Sequence, residues 1–182
     1  MTDREALAAL LRERSVSLGD FLLSSGGRST YYIDARKTTM SAEGQRLIGR
    51  LSLSAIRSAG WQPAAVGGLT MGADPVAYAI ARESLDAPPS IHAFSVRRVA
   101  KPHGTRRRIE GNFKPGDSVV VVEDVITSGG SAAAAIDALS AEGGKVLGVL
   151  AIVDREQGGR ETLEARGLQV VVLTTTSELS LG

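Results

Sequence analysis

An α/β fold, with a central parallel sheet and helices on both faces, is predicted by three observations. Short apolar runs of strand character alternate with longer runs of helical period, glycine-rich turns separate them, and the most apolar run, Val119-Val120-Val121-Val122, reads as a strand buried on both faces. Strands joined through helices return in the same direction, which makes the sheet parallel. At 182 residues, 43% hydrophobic and 23% charged, the chain is long enough to bury one good core and too short for two ordinary domains, so a single domain over 1–182 is expected.

The elements follow in order. Thr2 and Glu5 form a capping box ahead of a helix carrying Ala6, Leu7, Leu10 and Leu11. Residues 16–23, broken by Gly19-Asp20, read as two short strands or a hairpin, and Tyr31-Tyr32-Ile33 as another strand. Ser41 caps a helix bearing Leu47, Ile48, Leu51 and Ile56 that ends near Gly60. A strand at Ala64-Ala65-Val66 leads into a glycine turn over 67–72, then a helix from Pro75 through Arg82 and a strand from Ile91 to Val96. Residues 97–116 lack an apolar period and read as a long loop. After the valine strand come a helix ending by Gly143-Gly144, a strand over 146–153, a short helix over 161–165 and a strand over 169–173. No repeat, linker or low-complexity segment interrupts them.

Composition narrows the chemistry. The absence of cysteine excludes disulfides, thiol catalysis and cysteine-ligated metal, and two histidines, His92 and His103, leave little for a histidine-rich metal site. The opening Met1-Thr2-Asp3-Arg4-Glu5 lacks the basic-then-apolar pattern of a signal peptide and no apolar run approaches a membrane span, so a cytoplasmic protein without a membrane partner is expected. With a net charge of +1 there is no global field to draw in nucleic acid, and any electrostatic role is local.

In open α/β sheets, ligands bind where loops meet at the carboxyl ends of the strands. Four polar turns converge there: 67–74, 97–111, 123–131 and 154–159. The strongest chemical signal is the third. Thr127-Ser128-Gly129-Gly130-Ser131, opening onto an alanine-rich helix, reads as a phosphate cradle at a helix N-terminus. Glu123 and Asp124 at its mouth repel phosphate and must face another part of the same ligand, which a ribose diol fits. The turn at 67–72 is either a chain reversal or a place where amides approach an anion. Six arginines and lysines crowd residues 97–108, without the aromatic platforms that single-stranded nucleic acid requires. That run is either a solvated face or a mobile loop that folds over a highly charged leaving group. Arg155, following Val153-Asp154, is a candidate clamp for a carboxylate, or else the partner of Asp154 in an ion pair.

The run over 119–131 resembles the phosphoribosyl pyrophosphate motif of the type I phosphoribosyltransferases. Arg97-Arg98, Lys101, His103-Gly104 and Ile109-Glu110-Gly111 resemble the catalytic loop of the orotate phosphoribosyltransferase family. Phe21 to Gly26 with Ser29 to Asp34 is similar to that family's N-terminal hood, and Val153-Asp154-Arg155 to its orotate-contacting turn.

The resemblance implies transfer of the phosphoribosyl group from phosphoribosyl pyrophosphate to orotate in pyrimidine biosynthesis. A hood over about 15–40 and a mobile catalytic loop over about 97–111 are implied with it. Lys101 and Asp124 would be catalytic. Arg97, Arg98, Lys101 and His103 would hold pyrophosphate, Glu123 and Asp124 the ribose hydroxyls, and Thr127, Ser128, Gly129, Gly130 and Ser131 the 5′-phosphate, with Val125 and Ile126 in the same donor-binding run. Thr127 and Arg155 would hold orotate, with Tyr32 and Ile33 packed on its ring. Mg2+ would enter with the pyrophosphate, held mainly by the oxygens of that substrate and by water. A homodimer sharing the loop across its interface is implied as well.

Two departures accompany the match. Many family members carry lysine where this chain has Ser24 and Met71, and the amides of 68–72, Lys37 or Arg36 are the candidate replacements. Alternative readings are a phosphoribosyltransferase for another base, or a non-catalytic regulator that senses phosphoribosyl pyrophosphate. Purine enzymes usually place a stacking aromatic near the C-terminus, and residues 173–182 have none. A regulator would favour an added winged-helix segment or a basic face, neither of which is visible.

Overall fold

The computed structural model describes residues 1–22, 28–99 and 108–181. Helix α1 spans Asp3–Arg14, and the expected capping box closes it: Glu5 N donates to Thr2 Oγ1 at 3.2 Å and Thr2 N to Glu5 Oε2 at 2.7 Å. Strands β1 (Val16–Leu22) and β2 (Arg28–Ile33) pair antiparallel as a separate two-stranded sheet. Gly19-Asp20 therefore does not divide β1 into two strands or turn it back on itself. It marks a register irregularity between Leu18 and Phe21, where a Cβ on Gly19 would meet the Phe21 ring at 3.3 Å.

A short helix α2 (Arg36–Thr39) precedes α3 (Ala42–Ser58), which Ser41 caps by accepting Gly44 N at 3.0 Å. The main sheet comprises β3 (Ala65–Leu69), β4 (His92–Val96), β5 (Ile109–Gly111), β6 (Ser118–Ile126), β7 (Lys145–Asp154) and β8 (Val170–Thr175). Its spatial order is β5-β4-β3-β6-β7-β8, parallel throughout except for β5, which pairs antiparallel with β4. Part of the segment read as a long loop thus returns to the sheet, and the sheet carries an antiparallel edge. Three residues are too few to show an apolar period, and backbone pairing with β4 holds them.

Helices α4 (Ala73–Asp86), α5 (Gly130–Ala141) and α6 (Gly159–Glu164) complete the chain. Alternate side chains of β6 enter two cores: Val120 and Val122 pack with α1, α3 and α4, while Val119 and Val121 pack with α5 and Leu163 of α6. Each fully buried valine contributes roughly 1.5–3 kcal/mol, which explains why a run of four can only be central.

The glycines after Val66 are strand, not turn. A Cβ on Gly67 would run into Phe94 and one on Gly68 into the Val122 carbonyl, so both are small because β3 packs closely between neighbours. The turn itself is confined to Thr70, Met71 and Gly72. No helix among the described residues is long and apolar enough to cross a membrane.

Candidate active site

The carboxyl ends of β3, β6 and β7 open on one side of the sheet, with the end of β2 above them. A cavity of about 450 Å3 there is lined by Tyr32, Ile33, Asp34 and Arg36 from the β2–α2 side, Thr70 to Gly72, Arg98, Glu123 to Val125, Thr127, Ser131 and Arg155. A smaller recess of about 80 Å3 continues from it along Glu123 and residues 125–132. Thr127 to Ser131, the residues expected around the 5′-phosphate, all line that recess, together with Val125 and Ile126.

Local geometry explains the recess. β6 ends at Ile126, and Gly129 takes φ +79° immediately before α5, so the chain wraps round and presents the unpaired amides of the helix N-terminus. Gly159 supports the wrap from behind: a Cβ there would meet Ile126 Cγ2 at 2.6 Å and the Thr127 carbonyl. The turn after β7 thus braces the phosphate loop, a contact that motif reading missed because it depends on two segments meeting.

Glu123 is 5% exposed, and its Oε2 has no hydrogen-bond partner among the described residues. Burial, reinforced by the neighbouring Asp124 carboxylate, pushes Glu123 up to about 8, and burial also raises Asp124. Val125 N donates to Asp124 Oδ1 at 2.9 Å. Gly72 makes room for that carboxylate, since a Cβ there would sit 2.5 Å from Asp124 Oδ1. Burial thus favours the protonated form of Glu123, which lessens the pair's repulsion of an anionic ligand. Asp74 organises the adjoining turn by accepting from Thr70 Oγ1 at 2.6 Å and Ser95 Oγ at 2.7 Å.

Arg155 is 9% exposed, and its Nε and Nη2 have no hydrogen-bond partner among the described residues. It forms no ion pair with Asp154, whose Oδ1 instead accepts Glu156 N at 2.8 Å. The guanidinium lies 5.1 Å from the centre of the Tyr31 ring. Its backbone is tied on both sides: Arg155 N donates to the Ile126 carbonyl at 2.9 Å, and Thr176 N to that of Asp154 at 3.0 Å. Glu156 Oε2 accepts from Thr176 Oγ1, Ser177 N and Ser177 Oγ at 2.7–2.8 Å. A buried guanidinium with free donors fits a planar anion, whereas the C-terminal turn that steadies it gave no sequence signal.

The basic segment divides. Arg98 lines the cavity, while Arg97 Nε pairs with Glu110 Oε1 at 3.1 Å and is not among the lining residues. Lys101 and His103 lie outside the described residues, as does Ser24. Among the described residues no group of three or more histidines and carboxylates could hold a metal ion.

A phosphate-sized recess at a helix N-terminus, an acidic pair beside it and a carboxylate-seeking guanidinium at the far end define a protein that handles a phosphorylated sugar and a second anion. The model of the phosphoribosyl transferase domain matches residues 41–169. The chain is 46% identical, over 98% of each chain, to an orotate phosphoribosyltransferase of Aquifex aeolicus. It is similar to the structure of Mycobacterium tuberculosis orotate phosphoribosyltransferase in complex with Fe(III) dicitrate, with a TM-score of 0.87, 45% identity and coverage of 99% and 100% of the two chains. The same mycobacterial enzyme in complex with phosphoribosyl pyrophosphate matches with a TM-score of 0.82 at 41% identity, over 99% of this chain and all of that one. This chain belongs to the phosphoribosyltransferases and, within them, to the orotate phosphoribosyltransferase family.

Proposed function

We propose that the protein transfers the 5-phosphoribosyl group of phosphoribosyl pyrophosphate to N1 of orotate, releasing pyrophosphate and forming orotidine 5′-monophosphate. The observation that carries this reading is the buried Arg155 guanidinium, with two nitrogens unpartnered among the described residues, in the same cavity as Glu123, Asp124 and the mouth of the phosphate recess. Orotate carries a carboxylate that such a fork holds in two places. Adenine, guanine and uracil lack one and would leave those donors unpaired, a loss of roughly 1–3 kcal/mol per buried group.

The chemistry follows from the order of charges. The 5′-phosphate seats among Thr127 to Ser131, and Glu123 and Asp124 take the ribose hydroxyls. As the bond from the anomeric carbon to pyrophosphate breaks, its electron pair leaves with pyrophosphate, and the deprotonated N1 of orotate forms the new bond. Positive charge grows on the ribose, as in glycoside cleavage, beside Asp124. Negative charge grows on the leaving group, opposite Arg98 and the segment bearing Lys101 and His103. Thr127 and Arg155 orient orotate, with Tyr32 and Ile33 against its ring. No covalent nucleophile is required, and each preorganised donor contributes about 3 kcal/mol to the transition state.

Mg2+ fits this donor set as a companion of the substrate. Two adjacent acids, one of them with its proton held by burial, are too few to form a cage, so the ion would be held mainly by the oxygens of the pyrophosphate and by water. When bound, the ion neutralises charge on the departing pyrophosphate. In this reading 1–182 works as one domain, with residues 15–40 as the hood and 97–111 as the catalytic loop. The protein acts in the cytoplasm as a homodimer whose loops cross the interface.

The test is spectrophotometric. Loss of the near-ultraviolet absorbance of orotate on adding Mg2+ and phosphoribosyl pyrophosphate is expected, with adenine, guanine and uracil inert as acceptors. Folded protein that leaves orotate untouched overturns the proposal.

A further inference from the structure

We propose that Arg36 supplies the positive charge at the pyrophosphate end of the cavity that the family's lysine supplies where this chain has Met71. The inference rests on the donor substrate proposed above and adds a residue that motif matching does not assign.

Three cations line the cavity among the described residues: Arg36, Arg98 and Arg155. Arg155 is committed to the acceptor side by its position against Tyr31. Arg36 lines the cavity together with Met71 and Gly72, and it also borders the adjoining pocket that holds Met71 and Met40. It is therefore the cation that shares Met71's surroundings and still faces the cavity. Lys37 borders the adjoining pocket with them but does not line the main cavity, so the two replacements suggested by sequence are not equivalent.

The side chain is also prepared for an anion. Arg36 Nε donates to Asp34 Oδ1 at 2.8 Å, which fixes the plane of the guanidinium from one edge. Nη1 and Nη2 have no hydrogen-bond partner among the described residues, and the side chain is 47% exposed, open to a ligand without first breaking another contact. The Arg36 hydrogen bond holds the Asp34 carboxyl below its ordinary range, so the brace persists at neutral pH. Arg36 also favours the charged form of Asp124, though burial outweighs it. The cation therefore lines the same cavity as Asp124 and acts on its charge. A fork braced at Nε with both Nη groups free matches a diphosphate oxygen pair better than a lysine point charge does.

The experiment compares purified full-length Arg36→Gln, Lys37→Gln, Met71→Lys and the double variant Arg36→Gln/Met71→Lys with the parent chain. Calorimetric titration with Mg2+ and phosphoribosyl pyrophosphate gives the donor Kd, and steady-state rates give separate KM values for donor and orotate. Arg36→Gln is expected to weaken donor binding by about 10- to 100-fold with orotate KM changed less than about threefold, as for a lost charge-assisted contact. Lys37→Gln should bind the donor as the parent does, and the double variant should regain most of the lost affinity because the charge returns from the neighbouring position. Should Arg36→Gln fold poorly, Arg36→Lys keeps a charge without the Nε brace and should lose only a few-fold.

Unchanged donor affinity in Arg36→Gln, an equal rise in both KM values, or a double variant no better than Arg36→Gln overturns the assignment. The titration requires no acceptor. If the parent chain leaves orotate unconsumed, the reaction proposed above fails while Arg36 is still read by donor binding.

Discussion

The phosphate recess takes its whole lining from Glu123 and residues 125–132, whereas the acceptor side proposed for the same opening draws on three places in the chain. Tyr32 and Ile33 come from the two-stranded sheet, Thr127 from the rim of the recess and Arg155 from the end of β7. The recess is the product of one strand, one left-handed glycine and one helix start, and in the proposed reading its binding falls to backbone amides. The acceptor side relies on long side chains held by partners far away in sequence. Damage to the first should act through backbone strain and remain local. Damage to the second can come from a distance.

The sharpest separation is expected from Arg155→Leu. Removing a buried donor fork should lower kcat/KM for orotate by about 100-fold or more while leaving the Kd of phosphoribosyl pyrophosphate within about threefold, read by steady-state kinetics and calorimetry. Equal losses for both substrates would erase the distinction between the two regions. The converse is Gly129→Val, which forces a β-branched residue to φ +79° with its Cβ 2.9 Å from the Gly159 carbonyl. A backbone cost of about 1–2 kcal/mol implies donor binding weaker by about tenfold, with Tm lowered alongside.

A smaller effect tests action at a distance. Glu156→Ala removes the carboxylate that gathers Thr176 and Ser177, and should raise orotate KM by about three- to tenfold with donor affinity unmoved. Parent-like orotate KM would mean that the C-terminal turn does not steady Arg155.

The smallest signal is the pH dependence of stability. Glu123 holds its proton up to about 8 in the folded protein, whereas the unfolded chain loses it near 4.5. Across that window the folded state binds more protons, so this group's contribution is complete below about 4.5 and is lost as pH rises through about 8. Glu123→Gln has no proton to lose. Its Tm relative to the parent should climb between pH 5 and 8 by several degrees, with about 2–4 °C for each kcal/mol at this size. A difference that stays constant with pH would place Glu123 in a more solvated state than its burial indicates.

The same contrast explains what could be read in advance. Thr127 to Ser131 were legible because consecutive residues make the recess, so their spacing in sequence is their spacing in space. The helices capped by Thr2 and Ser41 were legible for the same reason. Gly67 and Gly68 misled because a small residue signals either a turn or a close approach, and only Phe94 and Val122 on neighbouring strands decide between them. The strand at Ile109–Gly111 was hidden because three residues carry no period and the strand pairs with the edge of β4, far from it along the loop.

By itself the sequence determined the alternating fold, the donor cradle and the family, since hydrophobic period and contiguous motifs are properties of the chain read in order. Only the tertiary structure decided that Arg155 stands free of Asp154 beneath Tyr31, that Arg97 is paired with Glu110 while Arg98 reaches the cavity, and that Arg36 rather than Lys37 lines it. The physical reason is that the partner satisfying a charge is chosen by packing among segments far apart in the chain, and spacing along the sequence carries no record of that choice.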